Sequence, residues 1–171
     1  MDLDLKGKGA VVCGSTDGIG RAAAIELALL VANITLLARN EEKLKSTVNT
    51  LDTAKGQSHQ YLVADFSSVQ RVQSCIENYV ATERVHILVN NTGGPPAGLA
   101  VDAQTDDFLK AFSAHLLCNQ VLVQAVVPGM KNENFGRIIN VISTSVKVPI
   151  FGLGVSNTIR GAVANWSKTL S

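Results

Sequence analysis

Five short apolar runs alternate with five longer segments of helical period, and no other feature limits the fold of this chain so tightly. The runs are Gly9–Cys13, Asn33–Ala38, Gln60–Ala64, Val85–Asn90 and Arg137–Ile142. They are largely continuous stretches of Val, Ile and Leu rather than alternating ones. Strands covered on both faces read this way, and such strands belong to parallel sheets between two helical layers. Helices are predicted over Ile19–Val31, Glu41–Asp52, Val69–Thr82, Thr105–Lys131 and Val155–Leu170. Asn40 and Ser67 stand where the second and third helices need N-caps. Pro128 falls near the end of the fourth, where a break is tolerable. The expected fold is α/β: a doubly wound parallel sheet of Rossmann type in three layers, α/β/α, with ligands at the carboxyl ends of the strands.

Composition narrows the setting. With 46% hydrophobic and 17% charged residues, the 171-residue chain reads as one domain with a substantial core. Fifteen basic residues against fourteen acidic ones leave a net charge of +1, no footprint for nucleic acid or an anionic membrane. Cys13, Cys75 and Cys118 are odd in number, far apart and in apolar surroundings, so they read as reduced thiols of a cytoplasmic protein. No clustered His or CxxC suggests a metal. The amino terminus carries no signal-peptide pattern, and the apolar stretch Leu27–Ala38 is too short and too interrupted to span a bilayer. At the other end the sequence stops at Ser171 inside a helical pattern, leaving the last predicted strand as an apolar sheet edge. The expectation is a fragment, or a chain that covers this edge with a partner.

Between the first strand and first helix lies Gly14-Ser15-Thr16-Asp17-Gly18-Ile19-Gly20. Gly14 can leave the strand with positive φ, Gly18 offers bare backbone to an anion, and Gly20 lets the helix lie close on the strand. The free N–H groups and positive end of the helix then face a phosphate. After the second strand, where dinucleotide sites often place a carboxylate for the ribose hydroxyl, this chain has Ala38 and then Arg39. A guanidinium there suits a 2′-phosphate, which favours NADP; the plain alternative is a solvated residue at a helix start. Asp65 and Phe66 end the third strand, Asp65 either accepting from an adenine amino group or capping the next helix. Asn90-Asn91-Thr92-Gly93-Gly94 ends the fourth, where Asn91 and Gly93 can meet the cofactor.

In this order, the glycine turn, Asp65, Asn90-Asn91-Thr92-Gly93 and Gly136-Arg137-Ile138-Ile139-Asn140-Val141-Ile142-Ser143 resemble the short-chain dehydrogenases/reductases. The resemblance runs along essentially the whole chain and is nearest to 3-oxoacyl-carrier-protein reductase-like members. It implies hydride transfer between NADP and a carbonyl or secondary alcohol. It also implies homodimers or homotetramers joined through the fourth and fifth predicted helices, and two further strands beyond Ser171.

The same resemblance exposes a departure. The family works with Asn, Ser, Tyr and Lys. Ser143 fills the serine position, but Ser156 stands at the tyrosine, Arg160 at the lysine and His115 at the asparagine. Serine is a far weaker acid than tyrosine, and arginine cannot relay protons. His115 is the one obvious proton source, or simply a helix histidine facing the core. The implied activity is therefore retained, altered, or replaced by that of an NADP(H)-binding pseudoenzyme or regulatory subunit. A last expectation is local: Val31, where the family usually has glycine, tolerates positive φ poorly, so Asn33 is expected to take the left-handed cap.

Overall fold

The computed structural model describes residues 3–170. Its five strands are β1 (Gly9–Cys13), β2 (Asn33–Ala38), β3 (Gln60–Val63), β4 (Ile87–Asn90) and β5 (Arg137–Asn140). All pair in parallel in the order β3-β2-β1-β4-β5. The order reverses between β1 and β4, and that switch point opens a crevice at the carboxyl ends. The predicted strands were one or two residues too long at the ends of β3 and β5 and at the start of β4.

Alternate residues of β1, β2 and β4 enter different cores. Val11, Cys13, Leu37 and Leu88 pack against α3 (Val69–Val80) and α5 (Cys118–Asn132). Ala10, Val12, Ile34, Leu36, Ile87 and Val89 pack against α1 (Gly18–Leu29) and α2 (Glu41–Val48). This double coverage is why the strands read as unbroken apolar runs. Burial holds the Cys13 thiol far above its ordinary range and raises Cys118 to about 11, so both stay protonated; all three cysteines are free.

Caps differ in detail from the sequence reading. Asn40 caps α2, its side chain accepting from Lys43 N at 2.9 Å. The cap of α3 is Ser68 rather than Ser67, because Ser68 is the extended residue just before the helix and its side chain accepts from Arg71 N; Asp65 Oδ1 takes the Ser67 N–H at 2.9 Å. Helix α2 also ends at Val48, four residues early, and the chain turns through Asn49–Leu51. Val31 itself adopts φ 73°, while Asn33 opens β2 and accepts from Ser58 N. The expected transfer of the cap to Asn33 does not occur; the strand register fixes Asn33 opposite Gly9.

The fourth predicted helix is three pieces: α4 (Thr105–Phe112), a π-helical stretch Ser113–Leu117, and α5. By length and apolar composition this 28-residue rod could cross a membrane. Here Cys118, Leu122, Val126 and Met130 bury against the sheet, as a core helix does. After β5, a 3₁₀ turn (Thr144–Val146) leads to α6 (Gly154–Lys168).

Candidate active site

Backbone builds the first half of the crevice. Gly14 has φ 56°, and a Cβ on it would stand 2.5 Å from the Asn91 carbonyl oxygen. A Cβ on Gly20 would collide with the Gly14 carbonyl oxygen. Gly18 also has positive φ (53°) but opens to free space. The three glycines thus do different work: close approach at Gly14 and Gly20, conformation alone at Gly18. Asn91 ties the turn to β4, its Nδ2 lying 3.4 and 3.3 Å from the Cys13 and Gly14 carbonyl oxygens.

The turn offers an unsatisfied group as well. Ser15 is buried, and its Oγ has no hydrogen-bond partner among the described residues. An orphaned hydroxyl beside the free N–H groups at the start of α1 fits an incoming phosphate oxygen. Gly14, Thr16, Arg39, Asp65, Phe66 and Gly93 all line one cleft of about 730 Å³. The cleft's position at the switch point and its lining fit a dinucleotide. Ser15, Asp17, Gly18, Ile19, Gly20 and Asn91 are not among its lining residues, and two of these lie on the surface. Asp17 pairs with Lys43 at 2.9 Å on the surface, and Ile19 turns outward, 64% exposed. Asp65 lines the cleft and its Oδ1 receives the Ser67 N–H at 2.9 Å, but it does not cap α3, whose cap is Ser68. That backbone hydrogen bond, with Arg39 and Arg71 adding lesser contributions, holds its pKa below the usual carboxylate value.

The second half is made by side chains from distant segments. Arg160, on α6, donates from Nη1 to the Val141 carbonyl at 2.9 Å and from Nη2 to the Thr92 carbonyl at 3.2 Å. It bridges the ends of β5 and β4. His115, in the π-helical stretch, is buried and its Nδ1 stands 2.5 Å from Thr92 Oγ1. Burial first, and Arg160 second, lower its pKa to about 4, so the ring is neutral at pH 7. Thr92 is therefore held twice. Sequence reasoning missed this node, since nothing local marks a threonine as the partner of residues 23 and 68 positions away.

The other two candidates stay apart. Ser143 caps the 3₁₀ turn, its Oγ accepting from Ser145 N at 3.1 Å. Ser156 sits one turn before Arg160 on α6. No hydrogen bond joins Ser143, Ser156 and His115 among the described residues. Neither tyrosine replaces the missing donor: Tyr79 Oη bonds Thr35 Oγ1 at 2.7 Å and Tyr61 Oη bonds Glu41 at 3.1 Å. No group of three His, Cys, Asp or Glu side chains is placed to hold a metal among the described residues.

The short chain dehydrogenase family model matches residues 8–171. The chain belongs to that family. Among curated relatives it is 34% identical over 167 residues to the human protein named "Inactive hydroxysteroid dehydrogenase-like protein 1", covering 96% of this chain and 50% of that one. It is 32% identical over 149 residues to an uncharacterised oxidoreductase of Bacillus subtilis, covering 87% of this chain and 56% of the relative. The chain thus spans about half the length of the curated relatives it matches. L-Sorbose reductase from Gluconobacter frateurii, solved with NADPH and L-sorbose, superposes with a TM-score of 0.92 at 28% identity, over 99% of this chain and 65% of that one. These matches establish the Rossmann-type short-chain dehydrogenase/reductase fold for an atypical member.

Proposed function

We propose that the protein binds a nicotinamide dinucleotide, NADP(H) in preference to NAD(H), and that hydride transfer to a carbonyl no longer runs on the family's Tyr–Lys pair. When bound, the cofactor supplies the hydride. The Gly14–Gly20 turn and Ser15 would hold its diphosphate, Asp65 and Phe66 its adenine, and Arg39 its 2′-phosphate. The NADPH in the L-sorbose reductase structure supports the same choice of cofactor.

The observation that carries the impaired reading is the commitment of Arg160. At the lysine position its guanidinium is spent on two backbone carbonyls, and its permanent charge cannot pass protons. Ser156, in the tyrosine position, has a hydroxyl too weakly acidic to protonate an alkoxide on its own. A regulatory or sensing role for an NADP(H)-binding pseudoenzyme draws support from the relative whose name calls it inactive. Turnover of a small carbonyl or secondary alcohol is the competing role. The double variant Ser156→Tyr, Arg160→Lys separates them when assayed with NADPH and a panel of ketones. A rise of several orders of magnitude marks the native site as degenerate. A fall marks it as having its own chemistry. Exposed Leu109, Phe112 and Leu117 favour self-association along the α4–α5 rod, measurable by light scattering on the eluting peak.

A further inference from the structure

With a serine in the tyrosine position, His115 is a further side chain able to donate a hydrogen bond at the site. A cavity of about 530 Å³ adjoins the cofactor cleft, sharing Gly93, Gly94, Lys110 and Ala114 with it. His115 lies in its wall, with Pro95, Leu99, Ala111 and Val155 supplying apolar lining, and Asp102, Asp107 and Lys110 the charged groups. The ring is 2% exposed, and the guanidinium of Arg160 is the charge that acts on it from α6. Only Nδ1 has a hydrogen-bond partner among the described residues, namely Thr92 Oγ1.

That contact couples the threonine hydroxyl to the tautomer of the ring. A neutral imidazole has one N–H and one lone pair. Among the described residues this ring nitrogen is the one hydrogen-bond partner of Thr92 Oγ1, which favours the hydroxyl as donor. With the hydroxyl donating, Nδ1 accepts and the ring's own proton sits on Nε2.

We propose that Thr92 fixes His115 as the Nε2–H tautomer, and that this N–H receives a substrate carbonyl oxygen in the cavity, with the positive charge of Arg160 behind it. The proposal rests on the reading that a reduced nicotinamide dinucleotide binds beside the cavity. The hydride adds to the carbonyl carbon, the C=O π pair moves to oxygen, and the nicotinamide is oxidised as the carbonyl is reduced. His115 keeps its proton and holds the alkoxide by hydrogen bond. The alkoxide then takes its proton from a buffer acid in solution, which leaves as its conjugate base. One preorganised donor of this kind is worth on the order of 100- to 1000-fold in rate.

Long-range ¹H–¹⁵N correlation on protein labelled at histidine reads the tautomer without turnover. His115 is expected as Nε2–H at neutral pH, and Thr92→Val should shift it toward Nδ1–H. A wild-type Nδ1–H ring, or an unchanged ring in Thr92→Val, overturns the tautomer assignment. The donor role is read separately by single-turnover oxidation of bound NADPH with isatin, a reactive dicarbonyl, as probe. His115→Leu should slow it by about 100-fold or more, while His115→Gln, which keeps an N–H, should lose far less. Equal rates in wild type and His115→Leu, or no reduction of isatin by NADPH-loaded wild type, overturn the donor role. Should His115→Leu fail to fold, the comparison of wild type with His115→Gln and the spectrum decide. If NADPH does not bind at all, the cofactor reading fails, and the spectrum still judges Thr92.

Discussion

At the β1–α1 end of the crevice the functional atoms are backbone, whereas at the β4–β5 end they are side chains gathered from β4, the π-helical stretch and α6. The first end depends on glycines spaced four and two residues apart, and any added Cβ at Gly14 or Gly20 meets a carbonyl oxygen. The second end depends on Thr92, His115 and Arg160, which meet only in the folded chain. Substitution is nearly forbidden in the first and has been tolerated in the second. A glycine turn of this shape can therefore persist in a chain whose tyrosine, lysine and asparagine positions have changed while Ser143 remains.

The largest expected effect breaks the backbone end. Gly20→Val should abolish saturable NADPH binding, or cost at least about 100-fold in Kd, because the new side chain forces α1 off the turn. Gly18→Ala is the control, since it meets open space and pays only for φ 53°; roughly 1–2 kcal/mol, or about a tenfold loss, is expected. Equal losses in the two would erase the distinction drawn between close approach and conformation. Calorimetric titration measures both.

At the side-chain end, pH reports on His115. Its pKa of about 4 in the folded protein lies below the ordinary 6.5, so the unfolded chain takes up the proton first. Stability contributed by the neutral ring is complete above pH 6.5 and is lost as pH falls toward 4. The loss is on the order of 3 kcal/mol at most. Urea unfolding across this window should show a steeper decline for wild type than for His115→Gln. Parallel curves would contradict the buried neutral ring.

Arg160→Met comes next. Losing two charge-assisted hydrogen bonds to carbonyls should cost about 1–3 kcal/mol in unfolding free energy. Binding of 2′,5′-ADP, which occupies only the other half of the crevice, should stay unchanged. A large loss of that binding would show the two ends to be coupled. The smallest effect belongs to Val31, buried yet at φ 73°. Val31→Gly should fall within about 1 kcal/mol of neutral by thermal unfolding, because relieved strain offsets lost burial.

What the sequence revealed follows the same division. The glycine turn and the five strands were legible because backbone conformation and strand burial leave local patterns. Ser68 rather than Ser67 caps α3 because its hydroxyl oxygen is the one that receives the Arg71 N–H, a one-residue choice between two serines that no propensity resolves. Asp17 left the cleft because Lys43, 26 positions away, claims it on the surface. The hold on Thr92 was illegible, since a threonine between asparagine and glycine carries no local signal of its partners.

Titration of folded protein with NADPH and NADH decides whether the β1–α1 turn holds a dinucleotide. Saturable binding of both is expected, tighter for NADPH by about tenfold or more, with Arg39→Asp reversing the order. Protein of native circular dichroism that gives no saturable signal with either coenzyme would contradict it.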